Sequence, residues 1–171
     1  MRILGIDPGL AIVGYSVLEI EEDSYELVSS GSIRTQKGAP DSQRLLEICE
    51  DMEYIIKKFQ PDHASIEKLF FFRNTTTIIP VAEARGIIVM LLEKYGIKIH
   101  EYTPLQAKQT LTGYGRATKE EVALAVGQII NGKLPKLDDT IDSIALAICH
   151  ARNAECELGA ELIKSGAGTL T

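Results

Sequence analysis

The 171-residue chain has no long hydrophobic run; stretches such as Ile78–Ile79 and Ile87–Leu92 are far too short to span a bilayer. Its N-terminus lacks a basic region followed by an apolar segment and a small-residue cleavage site, which predicts no secretion signal. Its cysteines, Cys49, Cys149 and Cys156, are odd in number and lack metal-type spacing; Cys49 and Cys149 fall in helical patterns as core or near-core thiols. These absences predict a cytoplasmic protein. Basic residues are not in excess either, since the formal net charge is −6. Two bound divalent ions, contributing +4, would bring that to −2, and Tyr102 to Lys119 carries Lys108, Arg116 and Lys119 without one acid. Net charge therefore neither establishes nor excludes a nucleic-acid partner.

What is present is ordinary globular composition, 45% apolar and 25% charged, with no internal repeat and no linker. The expectation is a single domain over residues 1–152, followed by a flexible tail over 153–171, where the sequence drifts into Gly, Ser, Ala and Thr. Ile3 to Asp7, Ile12 to Ile20 and Tyr25 to Arg34 read as three strands joined by short turns, an antiparallel meander. Leu45, Leu46, Ile48, Cys49, Met52, Ile55, Ile56 and Phe59 then recur every three or four residues, which predicts a helix over 42–59, ended by Pro61. A strand over 64–67, a helix from Ile78 or Pro80 to Tyr95 and a strand over 97–102 follow. Pro104 begins a loop or short helix, and helices over 119–130 and 139–151 complete the order. This predicts a mixed α/β sheet of five strands with helices covering its faces.

The chemistry lies in carboxylates. Ile3-Leu4-Gly5-Ile6-Asp7 is an apolar strand ending in an acid, and Pro8 and Gly9 stop it at once. Taken alone, Asp7 is equally a turn residue and a ligand. Ala64-Ser65-Ile66-Glu67 repeats the pattern. Asp139 and Asp142 are three apart and share a helix face, as do Asp138 and Asp142, four apart. Helix-start electrostatics account for Asp138 or Asp139. They account poorly for Asp142, which sits within an apolar run, where a cation would offset repulsion and desolvation. Acids without a His or Cys cluster favour a hard ion such as Mg²⁺ or Mn²⁺. Two such ions about 4 Å apart suit phosphate-ester hydrolysis.

Several separated motifs then agree in identity and spacing. Ile3–Gly9 with Gly14-Tyr15, Gly31-Ser32-Ile33-Arg34-Thr35, Pro61-Asp62 with Ile66-Glu67, Asn74, Ala84-Arg85-Gly86, Lys108-Gln109-Thr110, Gly113-Tyr114-Gly115 and Asp139-Thr140-Ile141-Asp142 with its apolar continuation closely resemble the RuvC family of Holliday-junction resolvases. The resemblance runs over about residues 1–152. It implies a ribonuclease-H-like fold, a homodimer, and Mg²⁺-dependent paired nicking of four-way junction DNA that leaves 5′-phosphate and 3′-hydroxyl ends. Two Mg²⁺ ions per site are expected, with Mn²⁺ able to substitute, and the RuvA–RuvB branch-migration complex is the expected partner. The family's catalytic and metal-binding acids correspond to Asp7, Glu67, Asp139 and Asp142, its Asp-x-x-Asp spacing selecting Asp139 over Asp138.

The resemblance also places a DNA-contacting aromatic at Phe70, and basic residues near the site at Lys108 and Lys119. An aromatic beside a phosphate-cleaving site can stack on unpaired bases, whereas Phe71 and Phe72 read as core or interface residues. Position and charge add Arg73 and Arg116 as candidates for phosphate contact. His63, His100 and His150 lack metal-ligand spacing and are read as structural, with His150 two turns beyond Asp142 and outside the site. The competing enzyme class, an ATP-binding actin-like or sugar-kinase domain, would need a duplicated unit and a second Gly-rich phosphate motif, and the sequence has neither. A nuclease-like domain that binds DNA without cutting is disfavoured by acids at all four positions. A relative cutting another nucleic-acid structure with the same metals remains open on sequence alone.

Overall fold

Alternating apolar residues build β1 (Arg2–Asp7), β2 (Ile12–Glu21), β3 (Ser24–Arg34), β4 (His63–Glu67) and β5 (Lys98–Tyr102). Among them run α1 (Asp41–Phe59), α2 (Thr75–Lys94), α3 (Pro104–Thr112), α4 (Lys119–Ile129) and α5 (Asp138–Gly166). This computed structural model describes residues 1–22, 24–69, 75–131 and 138–166, with the backbone alone for 75–77, 138–139 and 155–166. The sheet order is β3-β2-β1-β4-β5. β1, β2 and β3 pair antiparallel, as the short turns require, while β4 joins β1 and β5 joins β4 in parallel.

Each face of the sheet carries its own core. Leu4, Ile6, Val13, Val17, Ala64 and Ile66 face α1 and α2, where Ile48, Met52, Ile88 and Leu92 are fully buried. Ile3, Leu18 and Ile20 face α3, α4 and α5, so β1 is apolar on both sides, as a central strand must be. The 3.6-residue spacing in α1 reports this directly, since Met52, Ile55 and Ile56 lie on its buried stripe.

Two element boundaries differ from the sequence expectation, and one open alternative, loop or short helix after Thr103, is decided. α2 starts at Thr75 and includes Pro80, which forfeits one helical hydrogen bond in the second turn without ending the helix. The stretch after Thr103 is a helix: Thr103 accepts from the Gln106 N–H, the Gln106 side chain answers the Thr103 N–H, and Pro104 fits the first turn. α5 continues as helical backbone to Gly166, past residue 151, where its apolar periodicity fades.

α5 positions the site. It crosses the sheet over a row of small side chains: Ser16, Gly5 and Ser65 are side by side in the strand register. A Cβ on Gly5 would lie 2.0 Å from the Ser143 carbonyl oxygen and 3.0 Å from Ala147 Cβ. Ser65 Oγ donates a 2.6 Å hydrogen bond to the Leu146 carbonyl, tying strand to helix in a buried setting. Asp142, Leu146 and His150 are four apart along α5 and so form one stripe. Glu67, Ser65 and His63 alternate on the facing strand, and the two rows run past each other in opposite directions.

Candidate active site

β1, β4 and β5 are parallel, so Asp7, Glu67 and Tyr102 all stand at carboxyl ends on one edge of the sheet. Asp7 is opposite Gly14, and Glu67 is opposite Tyr102. Strand alternation turns Asp7 to the face that carries Gly5, toward α5. The Asp7 and Glu67 side chains share a hydrogen bond, and Asp142, arriving from α5, is close enough to act on Glu67 through its charge. Burial, then the negative charge of Asp142, pushes the Glu67 carboxyl above the ordinary range, and the hydrogen bond to Asp7 opposes that rise. Three converging acids, with Glu67 held toward its neutral form, are a donor set suited to a hard divalent ion, which supplies a counter-charge.

Beside them opens a cleft of about 240 Å³, lined by Glu67 and Asp142, by Lys108 and Lys119, and by apolar side chains that include Val122 and Leu146. Lys108, on α3, donates from Nζ to the Ala117 carbonyl at 2.8 Å, which fixes the ammonium at the cleft and leaves two N–H groups. Lys119 opens α4 behind the Thr118 cap, whose side chain and that of Glu121 complete a capping box. Arg116 is exposed between α3 and α4 and is not among the residues lining the cleft. Asp139 stands on the first turn of α5, one turn before Asp142, where only the backbone is described. Phe70, Phe71, Phe72, Arg73 and Asn74 lie outside the described residues.

Arg85 was absent from the candidate residues read from sequence. Its Nε donates to the Glu67 carbonyl oxygen at 3.3 Å, and its guanidinium pairs with Glu101, bracing the end of β4 against α2 and β5. The available signal was a cation inside the apolar pattern of α2. The histidines are the second difference. His63, His100 and His150, 37 and 50 residues apart in sequence, come together under α5. Burial, with mutual repulsion, lowers the His63 pKa, and lowers that of His150 to about 4. His150 does stand away from the acids, bonded to His63 and Tyr102.

A mixed sheet in this order, with acids at the ends of its first and fourth strands and on the helix that crosses them, is a ribonuclease-H-like nuclease fold. A solved structure of Thermus thermophilus RuvC superposes with a TM-score of 0.84 at 30% identity, covering 92% of this chain and 97% of that one. A second structure, the same protein in complex with Holliday junction substrate, gives 0.85 at 30% identity over 92% and 96%. The family model for crossover junction endodeoxyribonuclease RuvC matches residues 3–150. The RuvC of Halothermothrix orenii is 46% identical over 154 residues, 90% of this chain and 93% of that protein. The chain belongs to the RuvC family. Nucleases of this family depend on metal ions. No described helix is long and apolar enough to cross a membrane.

Proposed function

We propose that this protein is a Mg²⁺-dependent, structure-selective endonuclease that resolves four-way DNA junctions by paired symmetric nicks, in recombination and repair. The observation that carries this reading is the meeting of Asp7, Glu67 and Asp142 beside Lys108 and Lys119, in a chain of the RuvC family. Asp7, Glu67, Asp139 and Asp142 would hold two Mg²⁺ ions, which when bound supply an activated water and charge stabilisation at the scissile phosphodiester. The chain's own groups do the positioning. Lys108 and Lys119 take phosphate oxygens at the cleft, and the Lys108 bond to Ala117 keeps its ammonium from swinging away. Arg85 holds the Glu67 backbone so that the carboxylate keeps its direction. Water attacks in line, leaving 5′-phosphate and 3′-hydroxyl ends.

Residues 1–152 form the nuclease domain in this reading. Two copies act as a homodimer, because two equivalent strands need two equivalent sites. Phe70 stacks on bases at the junction centre, and Arg73 and Arg116 contact phosphates. The setting is the cytoplasm, with RuvA–RuvB as partner. The test incubates the protein with a four-way junction, a plain duplex and a single-stranded flap, in Mg²⁺ or in EDTA. Paired nicks confined to the junction and abolished by EDTA are expected; equal cutting of all three substrates, or cutting that survives EDTA, would overturn the reading.

A further inference from the structure

On the face of β4 and β5 that α5 crosses, three imidazoles occupy one space, from His63 at the start of β4, His100 in the middle of β5 and His150 on α5. His63 Nδ1 and His150 Nε2 are 2.7 Å apart, and His100 and His150 have ring centroids 3.9 Å apart. One nitrogen from each ring lies within 4.8 Å of the others, the one group of three ligand-type side chains among the described residues that meets so closely. We propose that His63, His100 and His150 form a metal centre for a borderline transition ion of the Zn²⁺ class, separate from the acids. The separation follows from the elements: His63 is four strand residues from Glu67, about 13 Å, His100 is opposite Ser65, and His150 is two turns along α5 from Asp142.

Three observations support the assignment. The nitrogens of His63 and His150 now serve each other, and phenyl rings would fill the same space with no nitrogen to desolvate, so three converging imidazoles suit a ligand set better than a packing role. The donor set also selects the ion, since imidazole nitrogen suits Zn²⁺, Ni²⁺ and Co²⁺ and competes poorly for Mg²⁺. An outer partner is in place as well: the Tyr102 hydroxyl is 3.0 Å from His150 Nδ1, where it can accept from Nδ1–H when Nε2, now bonded to His63 Nδ1, turns to an ion. Four-coordinate Zn²⁺ with bonds of about 2.0–2.1 Å places its nitrogens about 3.4 Å apart. The rings stand between 8° and 27° from parallel, so each meets an ion in its own plane only when the His63–His150 pair opens from 2.7 Å and His100 turns about χ2, a soft torsion. His63 and His100 are only half-buried, which leaves a route in, while His150 is 2% exposed. A bound ion would join β4, β5 and α5, the elements that carry Glu67, Tyr102 and Asp142.

Titration of the full chain with Co²⁺, then Zn²⁺, in excess Mg²⁺ tests this. The expected result is one Co²⁺ per chain with the visible absorption of a nitrogen-ligated ion, displaced by Zn²⁺, and a melting temperature that rises with Zn²⁺. His63→Phe and His100→Phe keep the ring stack, and each should lose both the absorption and the Zn²⁺-dependent rise. Tyr102→Phe should weaken Zn²⁺ binding about 10–100-fold. If one Phe variant fails to fold by circular dichroism, the other decides. Wild-type protein that takes up no Co²⁺ or Zn²⁺ under excess Mg²⁺, or a folded Phe variant that binds as the parent does, would overturn the proposal.

Discussion

Gly5→Ala isolates the contact on which the site geometry depends. Backbone propensity alone predicts that alanine strengthens a strand by about 0.5–1 kcal/mol over glycine. The structure predicts the opposite sign. The new Cβ would sit 2.0 Å from the Ser143 carbonyl and 2.7 Å from Ser16 Oγ, and ordinary contact begins at 3.4 Å. The obstructing atom is helix backbone, so it cannot rotate away; α5 must lift by about 1.4 Å. A gap of even 0.5–1 Å forfeits roughly a quarter to a half of each dispersion contact it opens. Ile144, Ala147, Ile148 and Ala151 on α5 are all fully buried. Overpacking of this kind costs about 3 kcal/mol, or roughly 6–12 °C in melting temperature for a chain of this size. Asp142 adjoins Ser143 and would move with it, while Asp7 and Glu67 stay with the sheet. A displacement of about 1 Å in a catalytic group can cost about 10²-fold in rate. Thermal melts and junction cleavage, measured on the same preparation, check both effects. A Gly5→Ala protein that melts within about 2 °C of the parent and cuts junctions equally well would refute the close-packing argument.

The matched control is Gly86→Ala on α2, where a new Cβ meets nothing within 4 Å; it should raise stability by up to about 1 kcal/mol in a urea titration. Ser65→Ala removes the buried bond to the Leu146 carbonyl and should lower stability by about 1 kcal/mol, read as a shift in urea midpoint at constant slope. Asp7→Asn keeps the shape of the β1 end but removes a charge, so it should bind a four-way junction in a gel-shift assay and fail to cut it; normal cutting would place the chemistry elsewhere. Lys119→Ala should weaken junction binding at low salt and lower the slope of log affinity against log salt by about 1, whereas an unchanged slope would mean that this lysine touches no phosphate.

Much of this molecule is legible locally. Apolar alternation in Ile3–Asp7 places Leu4 and Ile6 on one face and Gly5 and Asp7 on the other, and the structure has them so. The stripe Met52, Ile55, Ile56 locates the buried side of α1 for the same reason. The differences are local too. The expected start of α2, Ile78 or Pro80, falls late: proline forfeits a helical hydrogen bond, yet α2 packs enough apolar surface on the sheet to absorb that loss. Arg85 stands in the Ala84-Arg85-Gly86 motif, but nothing in its neighbours says that Glu67 lies beside it.

Sequence alone determined which side chains share a face, where the acids end their strands, and that Asp139 and Asp142 ride one helix, because these follow from fixed periods of the backbone. It could not determine which faces meet. The joining of Asp7 to Glu67 depends on β4 entering the sheet parallel to β1, and the approach of Asp142 depends on α5 settling over Ser16, Gly5 and Ser65. The cluster of His63, His100 and His150 is the plainest case, since no period links residues 37 and 50 apart. Only the antiparallel passage of α5 across β4 and β5, fixed by the packing of buried small side chains, puts acids at one end of that interface and imidazoles at the other.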